Sequence, residues 1–389
     1  MRPRTRPMNP RTPPALVALP LLIGLVLPVA AQSQSSGTVS IRGSVVDDST
    51  GAPLPDTHVF VSGSMNGTTV DEGGRFRLDG LASGAKRVYV SRVGYTPERI
   101  DVVVPPDTTL SLTVHLEPTV VEADPITVSD QRGEEWHEHL RRFKRLFVGV
   151  SPRARRCYLL NPNTLQFDAA WWGRFEADAS GPLKFENRSL GYRVTYYLKN
   201  FEERGDIVRW DGEPLFNPLS PRDSAEAARW RRNRRRAFYG SLRHFLLALL
   251  HDRVEEEQFR MYHLPRADAF RDWRRARRRP IRRSDLLTIQ DDSLAEISFT
   301  GTLEIQYIGA GETDAYVEWA GLHRAPRDKQ VSLIRLNKHS IHMDRHGEIV
   351  EPYGATLYRY FAFRQRLANL LPRGYRPDGT SLRAVGPRR

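Results

Sequence analysis

Between Ile41 and Tyr95 apolar residues recur at alternate positions in short bursts, and glycine, proline or aspartate closes each burst. Period-two alternation puts every second side chain on one face, so these bursts are strands rather than turns of an amphipathic helix. Val45-Val46, Val59-Phe60-Val61, Phe76-Arg77-Leu78 and Val88-Tyr89-Val90 are β-branched or aromatic and predict four strands. Gly51-Ala52-Pro53-Leu54-Pro55 predicts a turn, and Asp71-Glu72-Gly73-Gly74 predicts a tight hairpin connection through positive-φ residues. Ile100 to Val104 and Leu110 to Leu116 add two more segments, giving roughly seven strands at the spacing of a small sandwich. A fold of that kind binds or braces far more often than it catalyses.

Gly43, Val45, Asp47, Gly51, Pro53-Leu54-Pro55, Val59, Val61, Gly67-Thr68-Thr69, Asp71, Gly74, Phe76, Leu78, Leu81, Gly84 and Gly94-Tyr95 together resemble the carboxypeptidase regulatory-like domain. The resemblance implies an all-β, transthyretin-like, seven-stranded sandwich over residues 38–117, about a fifth of the chain. Domains of this family accompany zinc carboxypeptidases, and they also stand at the front of TonB-dependent receptors and other envelope proteins of Bacteroidota-type bacteria. The domain itself carries no catalytic zinc, so the resemblance implies a contact role.

Residues 1–31 read as a signal peptide. Arg2, Arg4, Arg6 and Arg11 form a basic leader, Ala15 to Val29 an apolar stretch broken by Pro20 and Pro28, and Val29-Ala30-Ala31 a small-residue site that predicts cleavage after Ala31. An apolar run of roughly 15 residues is shorter than the ~20 that a membrane-crossing helix needs. No cysteine follows it to take a lipid anchor, and no later stretch is long and apolar enough to span. The expectation is an exported protein of the periplasm, outer membrane or cell surface with no transmembrane span after cleavage.

The only cysteine is Cys157, so no intrachain disulfide can form and packing must hold the exported chain together. Its neighbours Arg155, Arg156 and Tyr158 offer at best a low-pKa setting and no base, so a structural cysteine is expected. Net charge is +13, and loss of the four leader arginines leaves +9. Arginine is concentrated in Arg229 to Arg236, around Trp230, and in Arg271 to Arg283, around Trp273. In a cytoplasmic protein such runs would suit nucleic acid. With export, they read as solvated helical faces paired with acidic residues, the alternative being an anionic envelope surface such as lipid head groups or lipopolysaccharide; nucleic acid is not expected.

Residues 118–135 form a linker that starts at Pro118, carries Pro125 and holds a short apolar patch at Ile126 to Val128. It resembles the region after the sandwich in TonB-dependent receptors, yet residues 136–389 hold too few alternating segments for a plug and a barrel of about 22 strands. Residues 136–372 predict an α+β domain with a mainly antiparallel sheet. Helices are expected over Trp136 to Phe147 and Tyr239 to His251, and strands at Leu165 to Asp168, Leu183 to Asn187, Arg193 to Leu198, Ile297 to Phe299, Leu303 to Tyr307 and Ser340 to Met343. Asn161-Pro162, Asn187, Leu190-Gly191-Tyr192, Tyr196, Leu198, Phe201, Tyr239-Gly240-Ser241 and His244-Phe245 resemble the uncharacterised region that follows the sandwich in many Bacteroidota envelope proteins. Residues 373–389 read as a disordered basic tail.

No group of residues names a reaction. His137-Glu138-His139 lacks the spacing that places two imidazoles on one helical face, and the His-x-x-Glu pair of a zinc carboxypeptidase is absent from the sequence. His339 and His342 would point to opposite faces of a strand, and Asp344 to Glu348, with His346, reads as a hairpin turn. Ser241 and His244 suit a helix cap better than a nucleophile and base. Glu255-Glu256-Glu257 reads as a solvated face, and Trp171-Trp172 as part of a core or sheet face, with sugar stacking as the alternative. No catalytic, cofactor or metal residue is therefore assigned, and no cofactor is expected. The sequence favours a non-enzymatic envelope protein contacting protein or glycan. The alternative is a periplasmic hydrolase whose active site in the C-terminal domain is assembled from separated residues.

Overall fold

The computed structural model describes residues 38–119, 133–265, 276–290 and 294–378; residues 1–31, expected to be a signal peptide, most of the expected linker and residues 379–389 lie outside them. Strands β1 (Thr38–Asp47), β2 (His58–Val61), β3 (Gly67–Thr69), β4 (Arg75–Ala82), β5 (Gly84–Ser91), β6 (Glu98–Val104) and β7 (Thr109–Leu116) form two sheets, ordered β4-β1-β7 and β3-β2-β5-β6. The six segments named from the sequence are all strands, Gly67–Thr69 supplies the seventh, and the pairings are antiparallel except β1 with β7, which is parallel. Val39, Ile41 and Val45 alternate inward from β1 to meet Val59, Val61, Val88 and Val90 from the other sheet.

Two of the residues that carry the family resemblance have direct geometric causes. Gly43 lies where β1 passes β7, and a Cβ there would stand 1.9 Å from the Leu112 carbonyl oxygen, so only glycine fits. Asp47 closes the end of β1: one carboxylate oxygen accepts from the Ser49 and Thr50 amides, each at 2.9 Å, and the other accepts from the Tyr95 hydroxyl at 2.8 Å. The Asp71–Gly74 segment makes the expected tight turn, with Gly74 at φ 77°. It joins no hairpin, however, because β3 and β4 belong to different sheets; the turn carries the chain across the sandwich.

After the sandwich come α1 (Glu134–Phe143), continued by one π-helical turn, and the strands β8 (Cys157–Leu159), β9 (Leu165–Ala169), β10 (Arg174–Ala179), β11 (Leu183–Asn187), β12 (Tyr192–Arg204) and β13 (Ile207–Pro218). They form one antiparallel sheet in which β13 runs along the whole of β12, while β11 and β10 share the other edge of β12. A bulge between Leu198 and Asn200 shifts the alternation of β12, so that Tyr192, Val194 and Tyr196 point inward before it and Phe201 after it. That phase change is why the sequence pattern stops at Leu198.

Helices α2 (Ser224–Phe238) and α3 (Leu242–Leu250) follow, then β14 (Phe259–Leu264), β15 (Arg279–Pro280), β16 (Leu287–Ile289), β17 (Leu294–Ser298), β18 (Thr302–Tyr307), α4 (Asp314–Trp319), β19 (Gln330–Leu336), β20 (Ser340–Asp344), β21 (Ala355–Arg359) and α5 (Tyr360–Arg364). Two further antiparallel sheets result, β15-β14-β18-β19-β21 and β16-β17-β20. The expected antiparallel sheet is thus present, and the region is largely β with few helices. Helix α3 is apolar nearly all round because Leu247 packs into the core of the first sheet while Phe245, Leu246 and Leu249 pack into that of the second. Residues 373–376, expected to begin a disordered tail, are instead packed: Arg373 N–H donates to Gly63 O at 2.6 Å and Tyr375 lies against the first core.

The sandwich is docked on the edge of β13. Gly63 N–H donates to Pro214 O at 2.7 Å, and Phe216 N–H donates to Ser64 O at 2.9 Å, so the loop after β2 continues the larger sheet. Phe60 points away from the sandwich core yet is fully buried, because it stacks on Tyr197 with ring centroids 5.2 Å apart. Glu213, its side chain 5% exposed, receives the Ser62 hydroxyl and faces Arg99 at 3.6 Å and Arg87 at 3.9 Å. Removing this carboxylate takes away the acidic partner of Arg99 and the acceptor of Ser62, while Arg87 keeps Asp101 at 2.9 Å. Glu213→Ala is expected to destabilise the protein by about 3 kcal/mol, read from urea unfolding, with Glu213→Gln costing less because it keeps an acceptor for Ser62.

Candidate functional site

A cleft of about 880 Å³ opens between β13, the β20–β21 connection and the segment after α5, with Trp210, Glu203, Glu351, Tyr353, Arg364 and Arg366 among its lining. The lining groups serve the fold. Arg366 stacks over the Trp210 ring at 5.1 Å and donates to Leu146 O at 2.6 Å. Arg364 donates to the carbonyls of Arg236, Ala237 and Tyr239 at 2.6, 2.8 and 2.7 Å, satisfying the open C-terminal end of α2. Glu203 is held by Arg142 at 2.8 Å, and Glu351 by the His342 ring at 2.5 Å.

Ser241, His244 and Glu257 have the composition of a hydrolase triad without its geometry. The Ser241 hydroxyl accepts from the His244 backbone N–H at 3.1 Å and caps α3, as expected. Gly240 N–H donates to His244 Nδ1 at 3.0 Å, which places the neutral ring's proton on Nε2, facing Glu257 at 2.9 Å. Both ring nitrogens are therefore engaged, and neither activates Ser241. Burial holds the His244 pKa below its ordinary value, and nearby Arg364 adds to this against the pull of Glu257. Of the three glutamates expected on a solvated face, Glu255 and Glu256 are exposed and Glu257 turns inward. Glu257 lies thirteen residues from the histidine it holds, a pairing that no local spacing rule marks.

Cys157 is buried, and burial pushes its thiol up to about 12, opposite to the low-pKa setting its arginine neighbours suggested. On α1, His137 faces solvent while the His139 ring packs 5.4 Å from Phe175, so the two do not converge. His339 is exposed, His342 pairs with Glu351, and His346 sits in the hairpin turn expected of it, closed by Asp344 N–H donating to Glu348 O at 3.0 Å. Burial, with Lys86, Arg376, Arg345 and Arg243 around it, drives the His346 pKa down to about 3. Among the described residues no group of three or more His, Cys, Asp or Glu is placed to hold a metal ion.

The first arginine run lies on α2, as the helical-face reading expects. Arg229 pairs with Glu226 at 2.8 Å, and Arg231, Arg232, Arg235 and Arg236 are exposed. Trp230 and Arg234 instead hold the fold together, donating to the Arg188 and Leu190 carbonyls at 2.9 and 2.7 Å and clamping the turn that holds Gly191. The described part of the second run, residues 276–283, is extended and 3-10 rather than helical. There Arg278 pairs with Glu304 at 3.0 Å, and Arg283 donates to the Leu249 and Leu250 carbonyls at 2.7 and 3.2 Å at the end of α3.

Trp171 and Trp172 occupy the turn between β9 and β10, and neither completes a core: they are 95% and 51% exposed. The guanidinium groups of Arg174 and Arg204 lie 5.2 and 5.5 Å from the Trp172 ring centre. The pairing of Arg174 with Arg204 across β10 and β12 brings the second arginine to the ring, a juxtaposition invisible before the sheet forms.

Burial of titratable groups in this domain has measurable consequences. His244, His251 and His346 all have pKa values lowered mainly by burial. The unfolded chain takes protons near pH ~6.5 where the folded one does not, so stability is full above that pH and declines as pH falls towards the folded values. Thermal melts should drop by several degrees from pH 7 to pH 5, and His346→Gln should flatten the decline. Iodoacetamide should leave Cys157 unmodified in the native protein and alkylate it promptly in urea, as followed by mass spectrometry.

Comparison with known proteins adds to this geometry. Residues 40–117 match the family model of the carboxypeptidase regulatory-like domain. No curated protein matches the chain. Among solved structures, 3-chlorocatechol 1,2-dioxygenase from Rhodococcus opacus is similar at 16% identity over 23% of this chain and 62% of its own, with a TM-score of 0.19. A candidate carbohydrate binding protein from Bacteroides uniformis is similar at 10% identity over 46% of this chain and 99% of its own, with a TM-score of 0.18. A candidate membrane-associated protein of unknown function from Bacteroides fragilis is similar at 12% identity over 42% and 65%, with a TM-score of 0.18. The chain spans less than two thirds of the first of these, and scores this low carry no argument about the remainder. Among the described residues no helix is long and apolar enough to cross a membrane. Over residues 40–117 the chain carries a carboxypeptidase regulatory-like domain.

Proposed function

We propose that this chain is a non-enzymatic, exported cell-envelope protein that contacts glycan or protein, with the sandwich bracing a second domain that bears the contact surface. The observation that carries the reading is the tryptophan pair at the β9–β10 turn. An indole left in water forgoes about 2–3 kcal/mol of burial, and a flat aromatic face flanked by guanidinium donors suits the apolar face and hydroxyl rim of a sugar ring. The outer face of the sandwich around Phe60 and Tyr89 is covered by Tyr197, so those aromatic rings are not available for contact. The exposed arginines of α2 extend the positive surface available to an anionic envelope component.

The alternative, a periplasmic hydrolase, is favoured by the size of the cleft beside Trp210. Against it, Glu203, Glu351, His244 and Glu257 are each committed to a structural partner. Titrating the purified protein with bacterial envelope polysaccharides should quench tryptophan fluorescence, and Trp171→Ala with Trp172→Ala should weaken binding at least about tenfold, equivalent to roughly 1.4 kcal/mol. Quenching with an unchanged affinity in the double variant would remove the tryptophan turn from the proposal, and hydrolysis of the polysaccharide would favour the enzyme.

A further inference from the structure

Strands β14, β18 and β19 pack one face on the core under α3, and the other face carries charged groups beside a smaller apolar cluster of Leu264, Val331 and Leu333. Phe259 and Met261 on β14 and Leu303, Ile305 and Tyr307 on β18 pack into the apolar cluster under α3. The alternate residues Arg260 and Tyr262, Glu304 and Gln306, and Lys329 with Val331 line a cavity of about 310 Å³ on the opposite face. Register brings them together: Arg260 stands across from Gln306, Tyr262 from Glu304, and Gln306 from Val331. Arg278 and Arg327 complete the wall.

The floor of this cavity is fixed by hydrogen bonds. Glu304 is fully buried, and its two carboxylate oxygens accept from Arg278 Nε at 3.0 and 3.1 Å. Gln306 donates its amide to Glu304 at 2.6 Å, and its carbonyl oxygen accepts from Lys329 Nζ at 3.0 Å. Arg278 matches the charge of Glu304, the one carboxylate among the described lining residues. Arg260, Arg327 and Lys329 then remain as three positive charges around one concavity. An anion placed in that concavity is attracted by all three.

We propose that this cavity is a binding site for a phosphate group. A carboxylate would leave most of the excess positive charge unmatched. A phosphomonoester brings about −1.5 to −2 at neutral pH and three strong acceptor oxygens, which matches a ring of two guanidinium groups and an ammonium. The site is separate from the tryptophan turn, so it stands or falls independently of the glycan contact. From the second arginine run the cavity takes only Arg278, which neutralises Glu304 in its floor.

The test uses the full chain and inorganic phosphate, titrated calorimetrically in low-salt buffer free of other oxyanions. Wild-type protein should show saturable one-to-one uptake and a raised melting temperature with phosphate. Arg260→Ala combined with Arg327→Ala should weaken uptake at least about tenfold while the melting temperature without phosphate changes little. Arg231→Ala combined with Arg232→Ala, which removes the same charge from α2, should bind as wild type. Absence of saturable uptake, or equal weakening in the two double variants, would falsify the site. Vesicles of phosphatidylcholine doped with phosphatidic acid separate the sources. Displacement of vesicles by phosphate identifies a lipid headgroup, and uptake of phosphate without vesicle binding identifies a soluble phosphate compound; both outcomes support the cavity.

Discussion

A guanidinium group offers five N–H donors and no acceptor, and much of the second domain is held by placing that group against backbone carbonyls. Arg364 closes the end of α2, Arg283 closes the end of α3, and Arg234 grips the turn at Leu190. Arg243 reaches the Leu371 and Pro372 carbonyls, and Arg366 reaches Leu146. Carbonyls at helix ends and turns have no partner in their own element, and a buried one left unsatisfied costs about as much as a lost hydrogen bond. Arginine reaches them from another element, so each clamp also fixes the distance between two pieces of chain. This accounts for the composition: many arginines here have structural duties, and the residual positive charge is what remains on the surface.

The same logic joins the sandwich to the rest of the chain. Glu213 collects Ser62, Arg87 and Arg99 at the seam, and Arg345 donates across it to the Ser83 carbonyl. With the loop after β2 extending the edge of β13, the sandwich is built into the larger sheet rather than hung from it. A carboxypeptidase regulatory-like domain used as a brace in this manner has its outer aromatic face committed to its own chain. The hairpin that carries Trp171 and Trp172 stays exposed, as does the outer face of the β4-β1-β7 sheet.

Local pattern was a sound guide where a strand keeps one phase and where a turn needs a particular residue. The sandwich strands, the Ser241 cap and the hairpin at Asp344 were legible on those grounds. Pattern was a poor guide where pairing overrides composition. Strand β13 contains Gly212, Pro214 and Pro218, which read as breakers, yet the length of β12 holds it extended. Strand β18 reads as half-exposed, but both its faces are covered, so Glu304 and Gln306 are buried and must find each other and Arg278. For Cys157 the adjacent arginines were the wrong neighbours to consider, because the apolar groups that bury it come from elsewhere in the chain.

By itself the sequence determined the N-terminal sandwich, through alternation and through glycines at places where a side chain would collide with backbone. It also determined the excess of positive charge and the kinds of side chain available for chemistry. Which of those side chains meet was decided only by the tertiary structure. His244 finding Glu257, Arg204 finding Trp172, and Arg260, Arg327 and Lys329 gathering around one cavity all depend on strand register. Register is fixed by pairing between segments far apart in the chain, and hydrogen bonds and ion pairs act over a few ångströms of space whatever the separation in sequence.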